Sequence, residues 1–344
     1  MSNPRIKFSL SLVAVIALMA IVLGVVAGRA SGGSASSSGG GDGGAAAGKK
    51  IDVIIKASDS SFWQSMLAGA KKAGGDYGVD VGLFGPTSET DVNQQVQLVE
   101  NSISRGADAI VIAPNSSDAL NNVIERARKG GTKVIIADTA VTTDYEGFIG
   151  TDNGKAAEQA GKRLCDLVKA GGTESGNVLI ASSVAGVQVL KDREAGFREG
   201  IKACPELKVG NVRYNNNDLN TAASQVNDAL TADPDLVGIF AANNVSGNGA
   251  ARAIKDNDAA DRIPVVAFDS DPQENAALAD GSIDTLVVQN PYFFGYQGVV
   301  EAAMAAAGSV PPRALDPGAA LADKKNMGSS EVKQLLNPPT AKAS

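Results

Sequence analysis

Histidine is missing from all 344 residues. With it go the commonest general base, the commonest metal ligand and the Ser-His and Cys-His nucleophile pairs. Asp, Glu, Lys or Tyr would have to carry any acid–base chemistry. No cluster of metal-ligand residues and no Walker-type phosphate loop is readable either. Asp, Glu, Lys and Tyr leave enzymatic chemistry open, but the absences count against it, and no catalytic residue, metal or cofactor is expected. A basic excess is missing too: 31 Lys and Arg stand against 38 Asp and Glu, for a net charge of -7. That argues against nucleic acid, which needs clustered cations, and indicates a soluble, self-repelling surface. Aromatics are only 4 % of the residues, so any aromatic outside a core pattern is informative.

Charge is also absent from Phe8 to Gly28, an apolar stretch preceded by Arg5 and Lys7. A positive start before an apolar run is an export signal. Gly28-Arg29-Ala30 places small residues where a signal peptidase reads, so cleavage before Ser31 is one outcome. The stretch is also long enough to span a bilayer, so retention as an N-terminal membrane anchor is the other. Residues 1–30 are assigned to this signal peptide or anchor. No cysteine follows it for lipid attachment. Either outcome puts the body of the protein outside the cytoplasm, in the periplasm or on the outer face of the membrane. Residues 31–49 form a Gly/Ser-rich linker with nothing to bury. The two cysteines, Cys165 and Cys204, fall on predicted helices or their ends. Outside the cytoplasm they read either as a disulfide or as two small buried side chains.

From Lys50 onward, short apolar strands alternate with helices. Strands are expected over 51–57, 80–85, 107–114, 133–138 and 146–151, then over 177–182, 208–214, 236–243, 264–269 and 284–289. The intervening helices include 117–129, 192–203 and 295–307. Alternation of this kind means parallel βαβ units, and continuous apolar strands mean sheets covered on both faces. The halves echo each other: IDVIIKASDSSF matches GNVLIASSVAGV, ADAIVIAPN matches LVGIFAANN, and KVIIADTA matches PVVAFDSD. The fold class is α/β, with two similar doubly wound lobes. In such sheets ligands sit outside the carboxyl ends of the strands. Two facing lobes would gather these strand-end loops around one cleft.

The segments SDSSFW, GADAIVIAPN, VIIADT, KDREAGF, PDLVGIFAANN, VVAFDS, VVQNP and DPGAALADKKNM, taken in order, resemble the ribose-binding-protein type of periplasmic sugar-binding protein. These are type I periplasmic binding proteins, the substrate-binding components of ABC transporters. The resemblance runs from about Ile51 to Pro338. It implies a three-segment hinge near Thr151–Asn153, Gln289–Pro291 and Asp316–Gly318. It divides the chain into an N-terminal lobe (50–152 with 290–316) and a C-terminal lobe (153–289 with 317–338), with 339–344 a disordered tail. It further implies a monomer whose partners are a small sugar or polyol and a membrane permease.

The resemblance also carries over ligand positions. Asp59, Phe62 and Trp63 follow the first strand, and aromatic rings there would stack on the C–H faces of a sugar. Trp63 could equally be a core residue at a helix start. Asp138 and Asp269 end strands in opposite lobes and would each accept a pair of hydroxyl hydrogen bonds. The alternative for both is helix N-capping. Arg193 would offer a fixed fork of donors, or lie solvated on its helix. Asn243 donates and accepts, and Gln289 lies where the chain recrosses. Thr139 stands where the family can have an arginine, and Asn217 where it can have an aromatic. These two departures put ribose itself in doubt. The implied function is capture of a monosaccharide or polyol for an ABC importer. A sensory receptor of the same fold is the alternative. A repressor of the related family would need a basic helix-turn-helix, where this chain has an export signal. A glycosidase would need Asp138 and Asp269 as an acid–base pair.

Overall fold

The computed structural model describes residues 46–341. The apolar stretch 8–28, the linker up to residue 45 and the last three residues lie outside the described residues. The first half runs β1 (Lys50–Ile54), α1 (Ser61–Tyr77), β2 (Asp80–Phe84), α2 (Val92–Ser104), β3 (Ala109–Ile112), α3 (Asn121–Lys129), β4 (Lys133–Ala137) and β5 (Gly147–Ile149). The second runs α4 (Asn153–Ala170), β6 (Gly176–Ser182), α5 (Gln188–Gly200), β7 (Leu207–Tyr214), α6 (Leu219–Ala232), β8 (Leu236–Ala241), α7 (Asn244–Asp256), β9 (Val265–Phe268), α8 (Pro272–Asp280) and β10 (Thr285–Val288). Then come α9 (Pro291–Ala306), β11 (Ala320–Ala322) and α10 (Ser330–Leu336).

Two sheets result. The first has the order β2-β1-β3-β4-β5, all parallel. The second has the order β11-β10-β9-β8-β6-β7, parallel except for the β10–β11 pair. Reading β6 to β10 as strands one to five, both sheets share the order 2-1-3-4-5, which reverses beside the first strand. Every residue of β3, β9 and β10 is buried. Both faces of the sheets carry helices, which explains why these strands show no apolar–polar alternation.

The chain passes between the sheets three times: after β5, after β10, and between Leu315, bridged to Ile149 in the first sheet, and Ala320 in the second. Helix α9 thus returns to the first lobe and lies against α1. The contact is backbone on backbone: a Cβ on Gly295 would overlap the carbonyl of Met66, and one on Gly69 that of Tyr292. The second lobe repeats the device between α4 and α5, where Gly196 faces the Gly154 carbonyl and Gly200 that of Glu158. In this lobe Cys165 of α4 is joined to Cys204, just beyond α5, in a disulfide with Cα atoms 5.8 Å apart.

Several boundaries differ from the sequence reading. Helix α3 starts at Asn121, not 117, because the Ser116 hydroxyl accepts the amides of Asp118 and Ala119 and ties the preceding residues into a turn. Helix α5 starts at Gln188, four residues early; its N-cap is Val187, which offers no side-chain capping bond to signal a start. Helix α9 starts at Pro291, with Asn290 accepting the Phe293 amide; proline is tolerated in that first position. Strand β11 and helix α10 were not read at all, being three and seven residues long. Residues 339–341 rest near α1, with Ala341 packed on the first lobe's core.

Candidate functional site

The two strand-end aspartates occupy equivalent places. Asp138 has φ 63° and its amide donates to Ile149 of β5; Asp269 has φ 80° and its amide donates to Val287 of β10. Each therefore makes one more ladder bond and then turns left-handed, a conformation that Asp tolerates better than most residues. The turn aims both carboxylates at the space between the lobes. Neither caps a helix. In VVAFDSDP the capping role belongs to the second carboxylate, since Asp271 accepts the amide of Glu274 at the start of α8.

A chamber lined by residues of both halves lies between the lobes. Phe62 and Trp63, in the first turn of α1, form an aromatic wall with their rings edge to face at 4.7 Å. Lys56, only 4 % exposed, reaches in from the end of β1. Its Nζ donates to Asp138 Oδ2 at 2.7 Å and to Thr139 Oγ1 at 2.6 Å. Burial alone would raise the Asp138 pKa, but Lys56, then Arg193 across the cleft, and hydrogen bonds from Lys56 and Thr139 hold it below the usual value.

The second lobe supplies Arg193, 3 % exposed, in the second turn of α5. Its Nε donates to Asn153 Oδ1 at 2.8 Å and its Nη1 to the Ala242 carbonyl at 2.7 Å. The guanidinium lies 4.1 Å over the Phe268 ring and pairs with Asp269 at 3.7 Å. It is thus a built part of the cleft and not a solvated helix residue. Gln289 donates to Asp269 Oδ1 at 2.6 Å. Burial raises the Asp269 pKa, against the opposing pull of Arg193 and Gln289. Asn243 accepts the Ser246 amide as the N-cap of α7 while lining the chamber. Two buried acceptors on the chamber wall, Gln289 Oε1 and Asn115 Oδ1, have no hydrogen-bond partner among the described residues. Buried acceptors left so are costly unless a donor reaches them.

Seven of the ten residues picked from the sequence line this chamber: Phe62, Trp63, Asp138, Arg193, Asn243, Asp269 and Gln289. The other three do not. Thr139 is fully buried and faces Lys56 and Asp138. Asn217, at φ 61°, accepts from Asn243 and lies with Asp59 along an outer groove beyond the mouth. Lys56, Glu89 and Asn115 were missed. A lysine ending the apolar run IDVIIK was a readable signal for the first, since a buried lysine requires a partner. It places a cation beside Asp138. Glu89 gave no local signal, because it arrives on a loop.

A model of the periplasmic binding protein domain matches residues 51–309. The D-allose-binding periplasmic protein of Escherichia coli (strain K12) is 27 % identical over 255 residues, covering 72 % of this chain and 81 % of that protein. A carbohydrate transporter solute binding protein from Agrobacterium radiobacter, solved with D-arabinose, superposes with a TM-score of 0.82 at 36 % identity, covering 85 % of this chain and 99 % of that one. An ABC transporter solute binding protein from Agrobacterium vitis with bound D-fucose gives 0.79 at 32 % identity, covering 84 % of this chain and 100 % of that one.

Proposed function

The chain belongs to the periplasmic binding protein family, and from that premise we propose that it is an extracytoplasmic receptor that captures a monosaccharide or related polyol between its lobes and delivers it to an ABC importer. The observation that carries the reading is the chamber itself. An aromatic wall faces two carboxylates from opposite lobes, beside buried amide oxygens that need donors. A neutral polyhydroxylated ring matches that inventory: its C–H face packs on Phe62 and Trp63, and its hydroxyls donate to Asp138, Asp269, Gln289 and Asn115. Lys56 and Arg193 donate to its oxygens. The proteins it resembles are named or solved with D-allose, D-arabinose and D-fucose, all neutral monosaccharides.

The mechanism follows from the placement of the groups. Asp138 and Lys56 belong to the first sheet's strand ends, Arg193 and Asp269 to the second lobe. A ligand can satisfy both sets only when the lobes are together, so binding draws the population to the closed form. The three crossings are the hinge, and the closed pair of lobes is the surface offered to the permease. The receptor acts as a monomer, without catalysis, and is exported by the apolar segment at residues 8–28.

A thermal-shift screen against pentoses, hexoses, deoxysugars and polyols, followed by calorimetry, tests this. One or two neutral monosaccharides should raise Tm; a ligand at a hundredfold excess over its Kd stabilises by about 2.7 kcal/mol. Asp269→Asn should weaken the best of them by at least tenfold. A panel without any hit would overturn the sugar reading.

A further inference from the structure

Glu89 sits on the loop between β2 and α2, and its Oε1 accepts the indole N–H of Trp63 at 2.6 Å. Trp63 also has the Lys56 ammonium 5.3 Å from its ring centre. The ring is thus gripped by a cation at its face and an acceptor at its edge. Glu89, Ser60 and Asn244 line both the chamber and the outer groove. Glu89 therefore stands in the partition at the mouth, where a first-lobe loop meets the start of α7 from the second. Burial there raises its pKa, opposed first by Lys56 and then by the Trp63 bond, and reinforced by Asp138 and Asp269.

We propose that Glu89 is a positioning residue for ligand capture: by accepting the Trp63 N–H it holds the indole at its stacking angle and closes the mouth of the chamber. The proposal rests on the sugar-receptor reading and adds to it a residue outside the strand ends. An indole left without this bond is oriented by packing alone, and any freedom it gains about its side-chain torsions would cost binding free energy to remove.

Trp63 is the only tryptophan, so intrinsic emission excited at the red edge of the tyrosine band reports on it alone. Glu89→Gln keeps an acceptor for the N–H; Glu89→Ala removes it. In the full protein without sugar, Glu89→Ala should shift the emission maximum and increase acrylamide quenching. It should also weaken the best sugar of the panel by about tenfold, the factor that 1.4 kcal/mol represents. Glu89→Gln should stay within about twofold of the parent. In a Trp63→Phe background, which has no N–H, Glu89→Ala should cost little further affinity. Parent-like emission and affinity in Glu89→Ala would overturn the proposal. So would a loss of affinity that persists undiminished in the Trp63→Phe background, which would make Glu89 a direct ligand contact. If no sugar binds the parent, the receptor reading fails by itself; the emission and quenching arms still decide whether Glu89 holds Trp63.

Discussion

Replacing Asp138 by asparagine tests the Lys56–Asp138 pair without changing shape. The two side chains are 5 % and 4 % exposed and 2.7 Å apart. Asparagine tolerates the left-handed backbone that Asp138 adopts, so strain should not confuse the result. What is lost is the charge. Removing one partner of a buried pair leaves the other uncompensated and costs ~3–5 kcal/mol. The Thr139 hydroxyl still accepts from Lys56 Nζ, which places the expected loss at the lower end, about 3 kcal/mol. Lys56→Met in the same chain removes the stranded ammonium. The double variant should recover most of the loss, since replacing a whole buried pair by apolar groups is often neutral. The assay is urea unfolding at pH 7 without sugar, comparing midpoints at a shared slope. Losses that simply add across the two single variants, or an Asp138→Asn cost below about 1 kcal/mol, would refute the reasoning. The lowered Asp138 pKa gives the same pair a pH signature. Its contribution is present above the unfolded carboxylate value and is lost as the pH falls through the folded one.

Three further outcomes are expected. Gly295→Ala should destabilise by about 2 kcal/mol or more, because its Cβ would meet the Met66 backbone where α9 crosses α1. Gly75→Ala, on the solvent side of α1 with open space around it, should instead stabilise by ~0.5–1 kcal/mol; equal effects in thermal unfolding would disprove the crossing argument. Glu301, buried in α9, has its pKa raised to about 8, chiefly by burial. A raised carboxyl pKa means stability that is full below about 4.5 and declines as the pH rises towards 8. Glu301→Gln should therefore flatten the stability profile over that window, gaining more at pH 8 than at pH 5; a pH-independent difference would be inconsistent with the burial.

Much of the architecture was legible because parallel sheets bury both faces of every inner strand. Runs such as AIVI, VVAF and TLVV, alternating with helical stretches, read as central strands of a covered sheet, and polar residues directly after them fall at the strand ends where α/β proteins bind ligands. Asp138, Asn243, Asp269 and Gln289 stand at or just past such strand ends, Arg193 was carried over by the resemblance, and all five line the chamber. Helix starts were less legible where no capping side chain marks them, as at Val187.

The alternation by itself determined a two-lobed α/β chain, and the composition determined that its chemistry has no histidine. Only the tertiary structure decided which polar residue at each strand end enters the cleft. VVAFDSDP offers two carboxylates one serine apart, and the left-handed turn at Asp269 sends it inward while Asp271 caps α8. Adjacent residues there share one composition and one context, so their division depends on backbone torsions that the neighbouring strand imposes. The same holds for Glu89, carried to Trp63 across a gap of 26 residues by the packing of β2 beside β1. A contact between a loop and a helix has no periodicity to read; it exists only once the sheet has brought the two together.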